Sequence, residues 1–308
     1  MQPCRHAPGA DTTLPPDLLP AAAAALARGL ARPAAVRTDA EANIAAIYVE
    51  KIARDLTADE AHVLGSIART RERGLALCRA GKVRDGGSVI ARARSVLTRA
   101  SLSKEAFVLS DSFLCAGEGF VHFRSGRVDA ATSSMLTAMD RCRELRDAYG
   151  YPVEGRRIHL ACNAVRIWVE AGKHEESSIV LAQLLNLIDT SDRRFWPYPD
   201  LEYVSGPDRL DDDVRWELMD QALAVVSRLD PEALGQVAAA FPSSPGGGTQ
   251  PLTARTRCFV EAVRAYSSGD LETFLARCVE FFQAGAQHLP RAFGHLVDRL
   301  ATVKANVT

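Results

Sequence analysis

Apolar residues recur along most of the chain with the spacing of an amphipathic α-helix. Within residues 39–56, Ile44, Ile47, Tyr48 and Ile52 stand at positions i, i+3, i+4 and i+8 and so form one apolar stripe. The pattern predicts a helix over this segment, with its apolar side against other helices.

The next segment carries a helix-start signal. Thr57 and Glu60 have the spacing of a capping box, in which each side chain accepts a bond from the other residue's amide. We expect the helix that follows to run to Ala80 and to end at Gly81. Alternating β-branched runs and hairpin turns between them are absent from the sequence, so the chain is predicted to be all-α.

Two later segments mark further helix boundaries. Ser101 or Ser103 is expected to cap one helix, because a serine hydroxyl accepts a bond from a free first-turn amide. Gly150 is expected to end a helix, Pro152 prevents its continuation, and a new helix is expected to begin near Glu154.

Four segments share a pattern built around one glycine. In the first two, a small residue is followed three positions later by a bulky residue and four positions after that by the glycine, with further small residues beyond it. The other two repeat this skeleton, as expected where two antiparallel helices meet at a tight turn. The segments are 74–93, 119–138, 165–184 and 262–281, with turn glycines at 81, 126, 172 and 269.

This pattern resembles the tetratricopeptide repeat. The small residue at the helix crossing corresponds to Gly74 and Gly119, and the bulky residue between the helices to Leu77, His122 and Trp168. The alanines of the second helix correspond to Ala93, Ala131 and Ala138. The match departs from the family in its period, since the glycines are 45 (81 to 126), 46 (126 to 172) and 97 (172 to 269) residues apart, against about 34 in the family. A further helical pair, at about 211–229 and 231–241, falls within the longest interval.

The resemblance implies a solenoid of helical hairpins, a right-handed superhelix whose concave side is lined by the first helix of each pair. It therefore also implies a set of candidate binding residues: Arg71, Phe123, Arg124, His159, Asn163 and Arg166. Such surfaces hold peptides through polar contacts to backbone and carboxylate groups, with apolar anchors between them.

The domain organisation predicted from the sequence is simple. Residues 1–20 hold five prolines and are expected to form a loose tail, and residues 21–308 a single helical repeat domain. Residues 242–251 are rich in glycine, proline and serine and are expected to form a flexible linker.

Residues 193–209 form an aromatic and proline-rich segment unlike the rest of the chain. Arg194, Trp196, Tyr198 and Tyr203 are candidate binding residues, because exposed aromatic and arginine side chains dominate binding hot spots. The alternative is that the segment packs inward and fills a gap between helices, an interpretation that suits Phe195 best.

Composition and charge narrow the range of possible functions. The net charge of −1 argues against a nucleic-acid partner, and the absence of an 18-residue apolar stretch argues against a membrane span. No secretion signal is evident at the N-terminus, and the seven cysteines include no C-x-x-C pair, so the expected compartment is the cytoplasm. Histidine and cysteine spacings predict no metal site, and no nucleophile or phosphate-loop motif occurs, so no cofactor is expected.

These patterns favour a non-catalytic adaptor that binds a protein or peptide. A second interpretation is a small-molecule-binding or catalytic helical protein with a pocket closed by the 193–209 segment. A third is a peptide-sensing regulator, since similar repeats occur in bacterial signal receptors.

Overall fold

A computed structural model describes residues 15, 17–31, 48, 51–201, 210, 212–240 and 251–307. Over these residues the secondary structure is α-helical with short 3-10 turns and no β-strand, so the all-α prediction is confirmed. The predicted helix at 39–56 lies partly outside the described residues; within it, Tyr48 and residues 51–55 are helical. Residues 242–250 of the predicted linker and Tyr203 of the aromatic segment also lie outside them.

The helices are numbered in chain order. They are α1 (Leu18–Leu30), α2 (Ala58–Arg79), α3 (Val83–Arg99), α4 (Lys104–Arg124), α5 (Val128–Tyr149), α6 (Glu154–Glu170), α7 (His174–Thr190), α8 (Asp212–Val226), α9 (Pro231–Ala240), α10 (Pro251–Ser268), α11 (Leu271–Gln283) and α12 (Pro290–Val307). Two 3-10 turns, Arg193–Phe195 and Pro199–Leu201, follow α7.

The helices group into two compact units. The hairpin unit comprises the described residues of Thr38–Lys173 and Ser191–Val214, and so contains α2 to α6 and both 3-10 turns. The terminal unit comprises those of Met1–Arg37, His174–Thr190 and Arg215–Thr308. Each is described by itself below.

In the hairpin unit, each helix packs on the helix that follows it or precedes it in the chain. α2 packs on α3, α4 on α5, and α6 on α5, while α4 also contacts both α2 and α3. The result is a layered arrangement of hairpins with α4 at the centre of the packing.

The predicted turn glycines are confirmed. All four adopt positive φ at a helix end: Gly81 (83°), Gly126 (73°), Gly172 (80°) and Gly269 (78°). At Gly81, the glycine amide donates to the Cys78 carbonyl at 3.1 Å and the Lys82 amide to the Leu77 carbonyl at 2.9 Å. A left-handed residue is needed to close these bonds, and glycine adopts that conformation without a Cβ clash.

Glycines also permit the close helix crossings that the repeat pattern predicts. A Cβ on Gly74 would lie 2.6 Å from Ile90 Cγ1, and one on Gly119 would lie 2.9 Å from Met135 Cε. Gly86 faces Gly74 across the same crossing, where a Cβ would meet the Gly74 carbonyl oxygen at 2.6 Å. Substitution of Gly74 or Gly86 with any larger residue would therefore force α2 and α3 apart.

The other repeat positions differ in how deeply they are buried. The alanines at 93, 131 and 138 are fully buried, and the bulky residues at 77, 122 and 168 are half-buried. Trp168 on α6 reaches α5, where its Nε1 donates to Thr132 Oγ1 at 2.9 Å.

The predicted helix starts are largely confirmed. The Glu60 amide donates to Thr57 Oγ1 at 3.2 Å and the Thr57 amide to Glu60 Oε2 at 3.1 Å, which is a complete capping box. Of the two candidate serines, Ser103 caps α4, because its Oγ accepts from the Ala106 amide at 3.3 Å. Gly150 ends α5 with φ of 66°, and α6 begins at Glu154 as expected.

Helix α1 begins at Leu18, before the start predicted at Ala21. Pro20 lies in its first turn, where amides have no helical acceptor, so a proline costs the helix no hydrogen bond there.

In the terminal unit, α1 packs on α11, α7 on α9, α9 on α10 and α10 on α11. Asp220 on α8 fixes the start of α12: its two carboxylate oxygens accept from the amides of Arg291 at 3.0 Å and Ala292 at 2.9 Å. Asp220 is fully buried, and burial raises the pKa of its carboxyl to about 6 against the effect of these two bonds.

Candidate ligand-binding cavity

The hairpin unit contains a cavity lined chiefly by three helices, α2, α4 and α6. Each helix contributes a stripe of residues three or four positions apart, so that one side of each helix faces the cavity. The stripes are Arg71, Leu75 and Arg79 on α2; Phe113, Ala116, Gly117, Phe120 and Phe123 on α4; and Arg156, His159, Leu160, Asn163, Arg166 and Ile167 on α6, with Met135 added from α5.

The cavity measures about 210 Å³ and combines apolar walls with positive charge. Four of its lining residues are arginines, and none is an aspartate or a glutamate. The lining also contains no serine, cysteine or tyrosine, so no side chain there offers the usual nucleophile. A cavity of this composition is suited to holding an anionic group beside an apolar one.

Five of the predicted binding residues are brought together in this cavity: Arg71, Phe123, His159, Asn163 and Arg166. They come from three helices that are far apart in sequence, and Asn163 Nδ2 lies 2.9 Å from His159 Nε2.

Arg124 does not line the cavity. It is the exposed last residue of α4, one position beyond Phe123, and a step of one residue turns the side chain by about 100° around the helix axis.

Several cavity residues are absent from the predicted set, notably Phe113, Phe120 and Arg156. Helical spacing could have identified them, since Phe120 stands three positions before Phe123 and Arg156 three before His159. Which turn of each helix reaches the cavity depends on how the hairpins pack, and spacing alone does not give that.

Phe113 is the centre of an arginine cluster. The guanidinium carbon of Arg156 lies 3.6 Å from the centre of the Phe113 ring, and that of Arg71 lies 4.8 Å from it. Both distances are within the range of cation–π attraction. Arg71 also donates through Nε to Glu72 Oε1 at 3.2 Å, so its charge is partly balanced by a neighbour on its own helix.

Buried charge elsewhere in the hairpin unit is compensated by ion pairs. Asp111 on α4 is bound by Arg94 from α3 and by Arg141 from α5, the latter at 2.8 Å. Burial tends to raise the pKa of the Asp111 carboxyl, but the two guanidinium groups outweigh it and the pKa is lowered. The carboxylate therefore stays charged inside the unit.

The described part of the aromatic segment packs inward. Trp196 is 8% exposed, and its ring lies 4.7 Å from the guanidinium carbon of Arg157. Arg157 also donates to the Leu201 carbonyl, and Tyr198 contacts Trp196 edge-on with ring centres 5.5 Å apart. Burial raises the pKa of the Tyr198 hydroxyl. These two aromatic side chains are thus held in packing contacts.

Arg194 is placed differently. Its side chain is 83% exposed and pairs with Asp192 at 2.5 Å. None of the described residues of this segment lines the cavity. Tyr203 lies outside the described residues.

The described residues contain no group of three or more histidine, cysteine or acidic side chains arranged to hold a metal ion. None of their helices combines the length and the apolar content that crossing a bilayer requires.

No protein-family model, curated protein or solved structure matches the chain. The class that fold and cavity define is thus an all-α protein with glycine-turned helical hairpins and an arginine-lined cavity between them.

Proposed function

We propose that this protein is a non-catalytic cytoplasmic adaptor that binds a protein or peptide segment along the α2–α4–α6 side of the hairpin unit. We further propose that the hairpins of this unit form a tetratricopeptide-like solenoid, with these three helices lining its concave side. The observation that supports both proposals is that three successive first helices present their stripes to one cavity.

The composition of the cavity supports a peptide as ligand. Arg71, Arg166 and Asn163 offer donors for carboxylate and backbone carbonyl groups, and the rings of Phe120 and Phe123 offer apolar contact for side chains. The described lining contains no aspartate, glutamate, serine, cysteine or tyrosine, which fits binding without covalent catalysis.

A peptide-library selection tests this proposal. Purified protein is panned against a random peptide library, and selected peptides are measured by fluorescence polarisation against the protein and its variants. Arg71→Ala and Asn163→Ala should each weaken binding about tenfold or more, because each removes donors from the cavity.

Arg73→Ala is the matched control. Arg73 lies two residues from Arg71 on the same helix, is exposed, and does not line the cavity. The proposal fails if no peptide is enriched, or if all three variants bind the selected peptides as the wild type does. A small metabolite that co-purifies in native mass spectrometry would favour the small-molecule alternative.

A further inference from the structure

Arg156 is a buried guanidinium without an ion-pair partner among the described residues. It is 3% exposed, its Nη2 donates to the Ser112 carbonyl at 3.2 Å, and the Cys142 side chain lies close to it. Its Nε is buried and has no acceptor. No carboxylate of the described residues lies within 4.0 Å of it, although it lines the cavity.

The adjacent arginine, Arg157, has the kind of ion-pair partner that the described residues do not give Arg156. Arg157 is also fully buried, but its Nη1 pairs with Glu154 at 3.3 Å. The equally buried charge of Asp111 is balanced by two arginines. An uncompensated buried charge is strongly destabilising in a protein interior, so Arg156 requires a counter-ion that the described residues do not provide.

The cavity is the place from which a counter-ion can come. Arg71, Arg79 and Arg166 line it together with Arg156, and Arg71 contacts the same Phe113 ring as Arg156, so an anion in the cavity meets a positively charged lining. A single carboxylate carries one charge and two oxygens. A phosphate monoester carries about 1.5 to 2 negative charges and three acceptor oxygens, which suits a cluster of guanidinium groups better.

We propose that the cavity is a phosphate-binding site, in which a phosphoryl group of the ligand is the counter-ion of Arg156. The inference rests on the proposed function for the carrier of that group, a phosphorylated side chain of the bound peptide. The apolar walls formed by Phe113 and Phe120 then contact the carbon atoms of that side chain, while the guanidinium groups bind its oxygens.

Three degenerate, fluorescently labelled peptide mixtures test the proposal. They are identical except for a central phosphoserine, serine or glutamate, and fluorescence polarisation measures their affinity for the full chain. The phosphoserine mixture should bind about tenfold tighter or more than either of the others, since hydrogen bonds to charged groups are the strong ones. Arg156→Met should reduce its affinity to that of the serine mixture, whereas Arg73→Ala should not.

Inorganic phosphate is the second probe and separates the two proposals. It should raise the unfolding temperature of the wild type and of Arg73→Ala, but not that of Arg156→Met. If phosphate does this while no peptide mixture binds, the phosphate site stands and the peptide function is wrong.

If all three mixtures bind equally well to the wild type and to Arg156→Met, the peptide function stands and the phosphate site is refuted. Glutamate binding as tightly as phosphoserine also refutes it. Circular dichroism verifies that Arg156→Met is folded. Arg166→Gln, which alters a second cavity arginine, should also weaken binding of the phosphoserine mixture.

Discussion

Two neighbouring arginines on α6 provide the sharpest test of the electrostatic reasoning. Arg156 and Arg157 are both buried, but only Arg157 has a carboxylate partner. Replacing each in turn by methionine removes the charge and keeps a long apolar side chain of similar reach. If burial without compensation is costly, the two substitutions should have very different effects on stability.

Arg157→Met should be strongly destabilising. It leaves Glu154, which is 4% exposed, with Arg146 at 3.3 Å as its remaining ion-pair partner among the described residues. It also removes the bond to the Leu201 carbonyl and the contact with the Trp196 ring. Removing one partner of a buried pair costs about 3–5 kcal/mol.

Arg156→Met should change the free energy of unfolding much less. The loss of the bond to the Ser112 carbonyl costs about 1.5–3 kcal/mol and the loss of the contact with Phe113 about 2 kcal/mol. Against this, the variant no longer buries an unpaired charge, a penalty of several kcal/mol. The two contributions are of similar size and opposite sign, so the net change should lie within about 1 kcal/mol of zero.

Urea unfolding of ligand-free protein, followed by circular dichroism, measures both variants against the wild type. The midpoint should fall clearly for Arg157→Met and hardly move for Arg156→Met. An equal loss in both variants would show that the charge of Arg156 is already compensated in the free protein. The case for a phosphate counter-ion would then lose its basis.

Three further predictions concern the fold. Gly86→Ala should destabilise the protein by about 1–3 kcal/mol in urea unfolding, because a Cβ there would lie 2.3 Å from Cys78 Sγ. Gly235→Ala is the control: Gly235 has open space around it, so the alanine should stabilise the protein by about 0.5–1 kcal/mol. Trp196→Ala should lower the free energy of unfolding by about 3–5 kcal/mol, since the ring is buried, and Arg194→Ala should leave it unchanged; equal effects would contradict the packing role of the segment. Because the pKa of Asp220 is raised from 3.8 to about 6, the folded state binds more protons than the unfolded state between these values. The stability that Asp220 contributes should therefore fall by about 2 kcal/mol as pH rises from 4 to 7. The free energy of unfolding of the wild type minus that of Asp220→Asn should decrease by this amount between the two pH values, and an increase would refute the assigned shift.

Local features of the fold could be predicted from the sequence because their physics is local. The capping box at Thr57 and Glu60 and the turn at Gly81 each depend on residues within one helical turn of one another. The cavity-facing side of α6 also followed from spacing, since His159, Asn163 and Arg166 repeat at three or four residues.

The burial of Arg156 could not be predicted in this way. Spacing does indicate that Glu154 pairs with Arg157 rather than with Arg156, because residues three apart share a helix face and residues two apart do not. Nothing in the sequence around them shows that both arginines are buried. Their burial depends on tertiary packing. Phe113 from α4 packs on Arg156, and Trp196, which follows α7 in the chain, packs on Arg157.

The aromatic segment and the cavity use different sides of the same helix. Successive residues on a helix point about 100° apart, so Arg156 faces the cavity and Arg157 faces the segment. Arg157 donates to the Leu201 carbonyl beyond the helix, and Arg146 on α5 donates to Glu154 at 3.3 Å. These two contacts favour the orientation of α6 that presents Arg156, His159 and Asn163 to the cavity. The proposed function therefore predicts that Trp196 contributes to ligand binding without lining the cavity, because its ring covers Arg157.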